Sequence, residues 1–87
     1  GGGDDLLDVA GGGEEMVLWV TDPSVNMRVF AERIRKRIEA DAGVTASIGC
    51  STAVDGIQAD ELIKQADEAM YEAKQTGKNK VVHHSGE

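Results

Sequence analysis

The chain has 87 residues, a formal net charge of −7, one cysteine and one residue each of Trp, Tyr and Phe. This length allows one small domain with an aliphatic core, the acidic charge argues against general nucleic-acid binding, and a single cysteine excludes an internal disulfide. The sequence has no signal-peptide pattern and no apolar run of about 20 residues, so we predict no membrane insertion and a cytoplasmic location.

The N-terminal part of the chain is rich in glycine. Residues 1–8 are predicted to be a linker or a remnant segment, residues 9–83 a domain, and residues 84–87 a tail. Within the first part, residues 5–10 are compatible with a short strand that leads through a hairpin at Gly11 to Glu15. The uncharged run from Met16 to Thr21 then predicts a buried strand.

A long helix is predicted over residues 23–42. Asp22 would be its N-cap, Pro23 its first helical residue and Gly43 its left-handed C-terminal cap. The basic run at residues 33–37 is interpreted as a solvated surface. The apolar residues that recur along one side are Val25, Val29 or Phe30, Ile34 and Ile38.

The C-terminal half predicts a strand over residues 44–53, a helix over 59–76 that Gly77 caps, and a strand over 80–83. Cys50 falls in the apolar pattern of the first of these strands and is expected to be a buried thiol. The buried stripe of the helix is predicted to contain Leu62, Ala66, Ala69, Met70 and Ala73. The element order β-β-α-β-α-β indicates an α+β sandwich, a mostly antiparallel sheet with two long helices.

Glu14 and Glu15 follow a run of glycines directly before the first long strand. Glycine lets the backbone turn sharply and approach a bulky anion, and carboxylates are suitable ligands for Mg²⁺ when substrate phosphates supply the others. The alternative is an acidic hairpin tip without a ligand.

Four segments in this order resemble the GGDEF domains of bacterial diguanylate cyclases. They are residues 12–16 (Gly-Gly-Glu-Glu-Met), 30–35, 44–50 and 59–82. The resemblance covers roughly residues 9–82, and 44–82 is its more specific part. It implies a palm-like domain related to the ferredoxin-like arrangement, which would condense two GTP molecules into cyclic di-GMP and pyrophosphate.

The resemblance also implies roles for the residues of the turn. Gly12 and Gly13 would give the backbone room at the GTP phosphates. Glu14 would be a ligand of Mg²⁺ or Mn²⁺, and Glu15 would support the metal or the attacking 3′-hydroxyl. Met16 stands where the family usually has an aromatic residue.

The resemblance assigns Lys74 and Lys78 to the triphosphate. From the residues alone, both lysines could instead complement the helix dipole. Ser47, Asp67 and Tyr71 also fall in family-like positions and are interpreted as structural. Since each subunit of the active parent would bring one GTP, a homodimer is expected.

The sequence also departs from the family pattern. No Phe, Lys or Asn precedes Gly12, and no Arg precedes Arg28. The family's first metal aspartate, its guanine-reading residues and its product-inhibition motif are therefore not matched. We expect the domain to be truncated and these 87 residues to have little or no cyclase activity. The alternatives are a degenerate nucleotide-binding or protein-interaction module without turnover, and a purely structural module.

Overall fold

The computed structural model describes residues 13–84 of the chain. The elements are β1 (Gly13–Val20), α1 (Met27–Ala42), β2 (Thr45–Thr52), α2 (Ala59–Gln75) and β3 (Lys80–His84). The strands form one sheet in the order β1-β2-β3, and both neighbouring pairs are parallel. At 1.5 Å per residue each helix is about 25 Å long, which is enough to return the chain to the sheet edge where the preceding strand began.

The prediction of a mostly antiparallel α+β sandwich was wrong. The described residues form an α/β fold in which strands and helices alternate and the sheet is entirely parallel. The predicted strand at residues 5–10, the linker at 1–8 and most of the predicted tail lie outside the described residues; His84 belongs to β3. Within residues 13–84, neither helix is long and apolar enough to span a bilayer.

Helix α1 starts later than predicted because Asn26, not Asp22, is its N-cap. The Asn26 side chain accepts a hydrogen bond from the backbone N–H of Val29 at 3.1 Å. The Asp22 carboxylate instead accepts from the backbone N–H and the hydroxyl of Ser24, at 2.9 and 2.7 Å. Asp22 and Pro23 therefore form a turn before the helix. The cap at the other end, Gly43, has φ 73° as predicted.

The predicted apolar stripe of α1 is correct only at Ile34 and Ile38, which pack against the buried core. Met27 and Ala31 are buried, whereas the predicted core residues Val29 and Phe30 are 46% and 49% exposed. The α1 face of the sheet is thus packed by bulky aliphatic side chains around Ile48. The partly buried members of this cluster are Met16, Leu18, Val20, Ile34 and Ile38.

Cys50 lies in the same cluster and is fully buried. Burial raises the pKa of its thiol to about 11, although the charge of Arg28 acts in the opposite direction. The thiolate, which is the reactive form, is therefore scarce at neutral pH. The expectation of a buried thiol is confirmed.

The α2 face of the sheet is packed by small residues instead. Leu62, Ala66, Ala69 and Ala73 are buried, so the predicted stripe of this helix is confirmed except that Met70 is only partly buried. A Cβ atom on Gly49 would overlap the backbone nitrogen of Met70 and the backbone oxygen of Ala66. The α2 backbone therefore rests directly on the middle strand.

Candidate functional site

The predicted site residues meet at the amino edge of the sheet. Because all three strands are parallel, their first residues (Gly13, Thr45 and Lys80) lie at one edge. Helix α2 runs antiparallel to the strands, so its carboxyl end, with Lys74, returns to that same edge. The fold thus brings the first residues of β1 close to the loop after α2.

A cavity of about 20 Å³ lies between these segments. That volume accommodates about one water molecule or one small ion, so a nucleotide would be bound at the open mouth and not enclosed. The residues that line the cavity are Gly13, Glu14, Glu15, Ser47, Lys74 and Lys78.

An ion pair joins the two halves of this cavity. The Lys74 Nζ atom lies 2.6 Å from Glu15 Oε2, and the two side chains are 32% and 22% exposed. A pair that remains in partial contact with water contributes about 1 kcal/mol or less to stability, so it can open at small cost. Glu15, which was predicted to support the metal or the 3′-hydroxyl, therefore pairs directly with Lys74, which was predicted to bind phosphate.

Glu14 and Glu15 do not lie on one face of the sheet. Adjacent strand residues point to opposite faces, and Glu15 points toward α2, where it meets Lys74. Glu14 pairs in register with Ala46, which belongs to the α1-face cluster. The two carboxylates therefore flank the sheet edge from opposite sides.

Gly13, one of the two glycines predicted at the phosphates, is the first residue of β1. Gly13 lines the cavity, and a Cβ there would lie 3.2 Å from the Thr45 hydroxyl oxygen. The absence of a side chain at Gly13 thus allows β1 to approach β2 closely. Gly12, the other glycine predicted at the phosphates, lies outside the described residues.

The loop after α2 presents Lys78 in an unusual backbone conformation. Gly77, Lys78 and Asn79 all have positive φ, at 127°, 62° and 47°. The helix ends at Gln75, and the backbone N–H of Lys78 donates to the Ala73 carbonyl at 2.9 Å, which closes the end of α2. Lys78 thus follows the helix within a tightly turned segment at the cavity.

Two polar residues at or near this cavity lie in surroundings that were not predicted from the sequence. Ser47, interpreted as structural, is in register with Glu15 and lines the cavity. Arg35, assigned to a solvated basic run, has a side chain only 16% exposed and donates a hydrogen bond to Asn79 at 2.8 Å. Strand alternation could have identified Ser47, because it shares the face of Glu15; nothing in the sequence pairs Arg35 with Asn79.

The described residues do not form a metal cage of their own. In residues 13–84, no three His, Cys, Asp or Glu side chains gather as a metal-binding group. The residues fit a different mode, in which one or two carboxylates hold Mg²⁺ and substrate phosphates and waters supply the other ligands. Glu14 and Glu15 are the cavity carboxylates that would hold a metal in that mode, and Glu15 would then have to leave its ion pair with Lys74.

A larger groove of about 530 Å³ opens at the opposite end of the sheet and contains none of the predicted site residues. Residues 23–28 line it together with Thr52 and His83. The His83 Nε2 and Thr52 Oγ1 atoms are 3.0 Å apart. Burial, followed by the charges of Arg28 and His84, lowers the pKa of His83. This end of the fold therefore disfavours a further positive charge.

Comparison with known proteins identifies the family that the segments resemble. Residues 8–80 match the family model described as diguanylate cyclase, GGDEF domain. The match extends from before the turn to the first residue of β3, and it includes both the Glu15–Lys74 pair and Lys78. No solved structure gives a significant match.

The curated relatives are much longer than this chain. The probable diguanylate cyclase DgcT of Escherichia coli is 40% identical over 90 residues, which cover 91% of this chain and 20% of the relative. The response regulator PleD of Caulobacter vibrioides is 39% identical over 83 residues (82% and 18%), and the diguanylate cyclase VdcA of Vibrio cholerae is 35% identical over 83 residues (82% and 24%). The chain thus spans about a fifth of their length.

Proposed function

Because this chain belongs to the GGDEF domain family of diguanylate cyclases, we propose that it carries the triphosphate-binding part of a cyclase site and binds GTP together with Mg²⁺. In a complete enzyme this part would serve the condensation of two GTP molecules into cyclic di-GMP and pyrophosphate. The single observation that supports the proposal most strongly is the Glu15–Lys74 ion pair beside Lys78 in one cavity.

The chemistry of the pair explains why nucleotide and metal would bind together. A triphosphate attracts Lys74 and Lys78 but is repelled by the carboxylates of Glu14 and Glu15 at the same cavity. If a bound cation took the place of Lys74 at Glu15, Lys74 would be released from that ion pair to contact a phosphate oxygen. Because a partly exposed ion pair contributes about 1 kcal/mol or less to stability, breaking it costs little free energy. GTP alone is therefore expected to bind more weakly than GTP with Mg²⁺.

The proposed roles are those that the family resemblance implies, and the positions of the residues at one cavity support them. Glu14 and Glu15 would hold Mg²⁺ or Mn²⁺, and the bound cation would neutralise charge on the phosphates as a Lewis acid. Lys74 and Lys78 would orient the triphosphate from the α2 side, and Gly13 leaves the strand end uncovered. Orientation of this kind supplies a large part of the rate in phosphoryl transfer.

The reaction also suggests an oligomeric state. Two GTP molecules react with each other, and Lys74 and Lys78 at the mouth of the cavity provide one phosphate-binding position in the described residues. We therefore propose that the active form of a protein containing this domain is a homodimer in which two such sites face each other. Light scattering with and without Mg–GTP would test whether the 87 residues associate when nucleotide binds.

Equilibrium binding of GTP to Lys74→Gln tests the proposed site. The substitution removes a charged partner of the phosphate, so we expect binding about 10-fold weaker or worse, by isothermal titration calorimetry in Mg²⁺. Lys64→Gln is the matched control, since Lys64 is an exposed lysine on the same helix that does not line the cavity. Equal losses in both variants, or no binding by the parent chain, would contradict the proposal.

For turnover we propose that the 87 residues bind GTP without producing cyclic di-GMP. Among the described residues that line the cavity, only Glu14 and Glu15 carry carboxylates, and the further metal aspartate that the family resemblance implies has no match in the sequence. This corresponds to the alternative of a degenerate nucleotide-binding module. Chromatography of the same samples after incubation decides the matter: cyclic di-GMP that disappears in Glu14→Gln would establish activity.

A further inference from the structure

A polar contact joins α1 to the loop that carries Lys78. The Arg35 Nη1 atom donates to Asn79 Oδ1 at 2.8 Å. The same guanidinium donates to Glu32 Oε1 through Nε at 3.0 Å and lies 2.9 Å from it through Nη2. Glu39 lies 4.0 Å away on the other side. Because α1 itself supplies these carboxylates, the guanidinium is held in place before it reaches the loop.

The backbone of that loop needs such support. Lys78 and Asn79 have φ values of 62° and 47°, in the left-handed region. Asparagine tolerates this region, but for other L-residues it costs about 1–2 kcal/mol, so the strained conformation of Lys78 requires neighbouring contacts to hold it. The Lys78–Ala73 backbone bond fixes one side of the loop and the Arg35–Asn79 bond fixes the other.

We propose that Arg35 is a positioning residue that keeps Lys78 directed to the phosphate cavity by holding Asn79, an inference that rests on the proposed phosphate site. Arg35 does not line the cavity, and its guanidinium already contacts Glu32 and Asn79. It therefore acts on the phosphate through the loop and not by direct contact. Arg35, on the α1 side of the sheet, thereby fixes the position of Lys78 on the α2 side.

Two substitutions at Asn79 distinguish the effect of the hydrogen bond from the effect of the backbone conformation. Glycine at position 79 tolerates a positive φ but cannot accept a hydrogen bond from Arg35, whereas aspartate tolerates the left-handed region and keeps an acceptor. We expect Asn79→Gly to weaken binding of Mg–GTP about three- to tenfold and Asn79→Asp to bind within about twofold of the parent chain. The isotope-labelled amides of Gly77 and Lys78 should shift in Asn79→Gly before any nucleotide is added.

Arg35→Gln should produce the same loss, and combining it with Asn79→Gly should add little, because both substitutions remove one contact. Arg37→Gln is the control: Arg37 lies on the same helix and forms a 2.7 Å ion pair with Asp41, away from the loop. If Arg35→Gln unfolds the chain, the pair of Asn79 variants decides the matter alone.

The possible outcomes separate this inference from the function on which it rests. A parent chain that binds Mg–GTP, together with folded Asn79→Gly and Arg35→Gln chains that bind it equally well, overturns the role of Arg35 and leaves the phosphate site intact. A parent chain that does not bind overturns the proposed function. A lower melting temperature with unchanged binding would show that the contact is only structural and would also overturn the inference.

Discussion

The two faces of the sheet are packed in opposite ways. On the α1 face, aliphatic side chains such as Ile48 and Met27 fill the space between helix and strands. On the α2 face, Gly49 leaves no side chain between β2 and the helix, and the backbone of α2 rests near the strand at Ala66 and Met70. A layer of side chains can adjust its rotamers, whereas a backbone contact cannot.

This difference explains why the candidate site belongs to the α2 face. The last turn of α2 reaches Glu15 only if the helix lies close to the sheet and at a fixed height along β2. The contact at Gly49 sets the distance, and the hydrogen bond from the Ser51 hydroxyl to the Leu62 carbonyl, at 2.7 Å, fixes the start of the helix. The tightly packed face therefore holds Lys74 in place, and the more adaptable face carries no predicted ligand except Glu14.

The largest expected effect comes from adding one methyl group to the α2 face. Gly49→Ala would place a Cβ against backbone atoms of α2, which cannot move aside as a side chain can. We expect a loss of about 3 kcal/mol or more in the free energy of unfolding, measured by urea denaturation, together with loss of Mg–GTP binding. A variant as stable as the parent chain would show that the two backbones are not in contact.

Removing one methyl group from the α1 face should matter less. Ile48→Val, at the neighbouring position of the same strand, leaves a small gap among side chains that can partly close it. We expect it to lower the free energy of unfolding by about 1 kcal/mol in the same urea experiment and to leave the affinity for Mg–GTP unchanged. If Ile48→Val weakened nucleotide binding as much as Gly49→Ala, the two faces would be equally coupled to the site.

The smallest expected effect is a pH dependence located on the α1 side, where His83 is in register with Cys50. The pKa of His83 is lowered in the folded chain, so the unfolded chain binds more protons near the ordinary value of 6.5. The contribution of His83 to stability is therefore fully present above that value and is lost as the pH falls through the lowered pKa.

Urea midpoints measured between about pH 5 and pH 8 should fall less steeply on acidification for His83→Gln than for the parent chain. The His83 pKa, followed by NMR, should rise in Arg28→Gln, because Arg28 contributes to its lowering. The control is Arg33→Gln, which removes an equal charge from the same helix outside the groove. An unchanged His83 pKa in Arg28→Gln would contradict the electrostatic cause.

The sequence predicted best where one physical signal dominated. The alanine-rich stripe of α2 left a single burial pattern, and Gly43 met the requirement of a left-handed cap. At the start of α1 the predicted cap was wrong: Asn26 is the N-cap, and the Asp22 carboxylate accepts hydrogen bonds from Ser24 instead. Val29 and Phe30, predicted as alternatives in the core stripe, are exposed, whereas Ile34 and Ile38 of the same stripe pack against the core.

Strand direction and helix placement could not be obtained from the same signals. Alternation along a strand gives its two faces but not its partners, and the element order from which the antiparallel sheet was predicted does not fix the direction of each strand. The observed strands follow in chain order with α1 and α2 on opposite faces, which requires their two crossover connections to have opposite hands. Since such connections are right-handed in about 98% of cases, the general rule would have predicted one shared face.

The site was predictable as a set of residues but not as an arrangement. Gly13, Glu14, Glu15, Lys74 and Lys78 do line one cavity. The direct pairing of Glu15 with Lys74, the separation of the two carboxylates by strand alternation, and the Arg35–Asn79 contact depend on how the elements pack. Their assigned chemical roles remain proposals.

The most direct test of the central claim is a ¹H–¹⁵N spectrum of the chain titrated with GTP, first without and then with Mg²⁺. The claim is that close docking of α2 joins Glu15 and Lys74 into a phosphate site. It predicts Mg²⁺-dependent shifts confined to residues 13–15, Ser47 and residues 74–79, with none at the Arg28, Thr52 and His83 groove. A well-dispersed spectrum that does not change, or shifts confined to that groove, would contradict it.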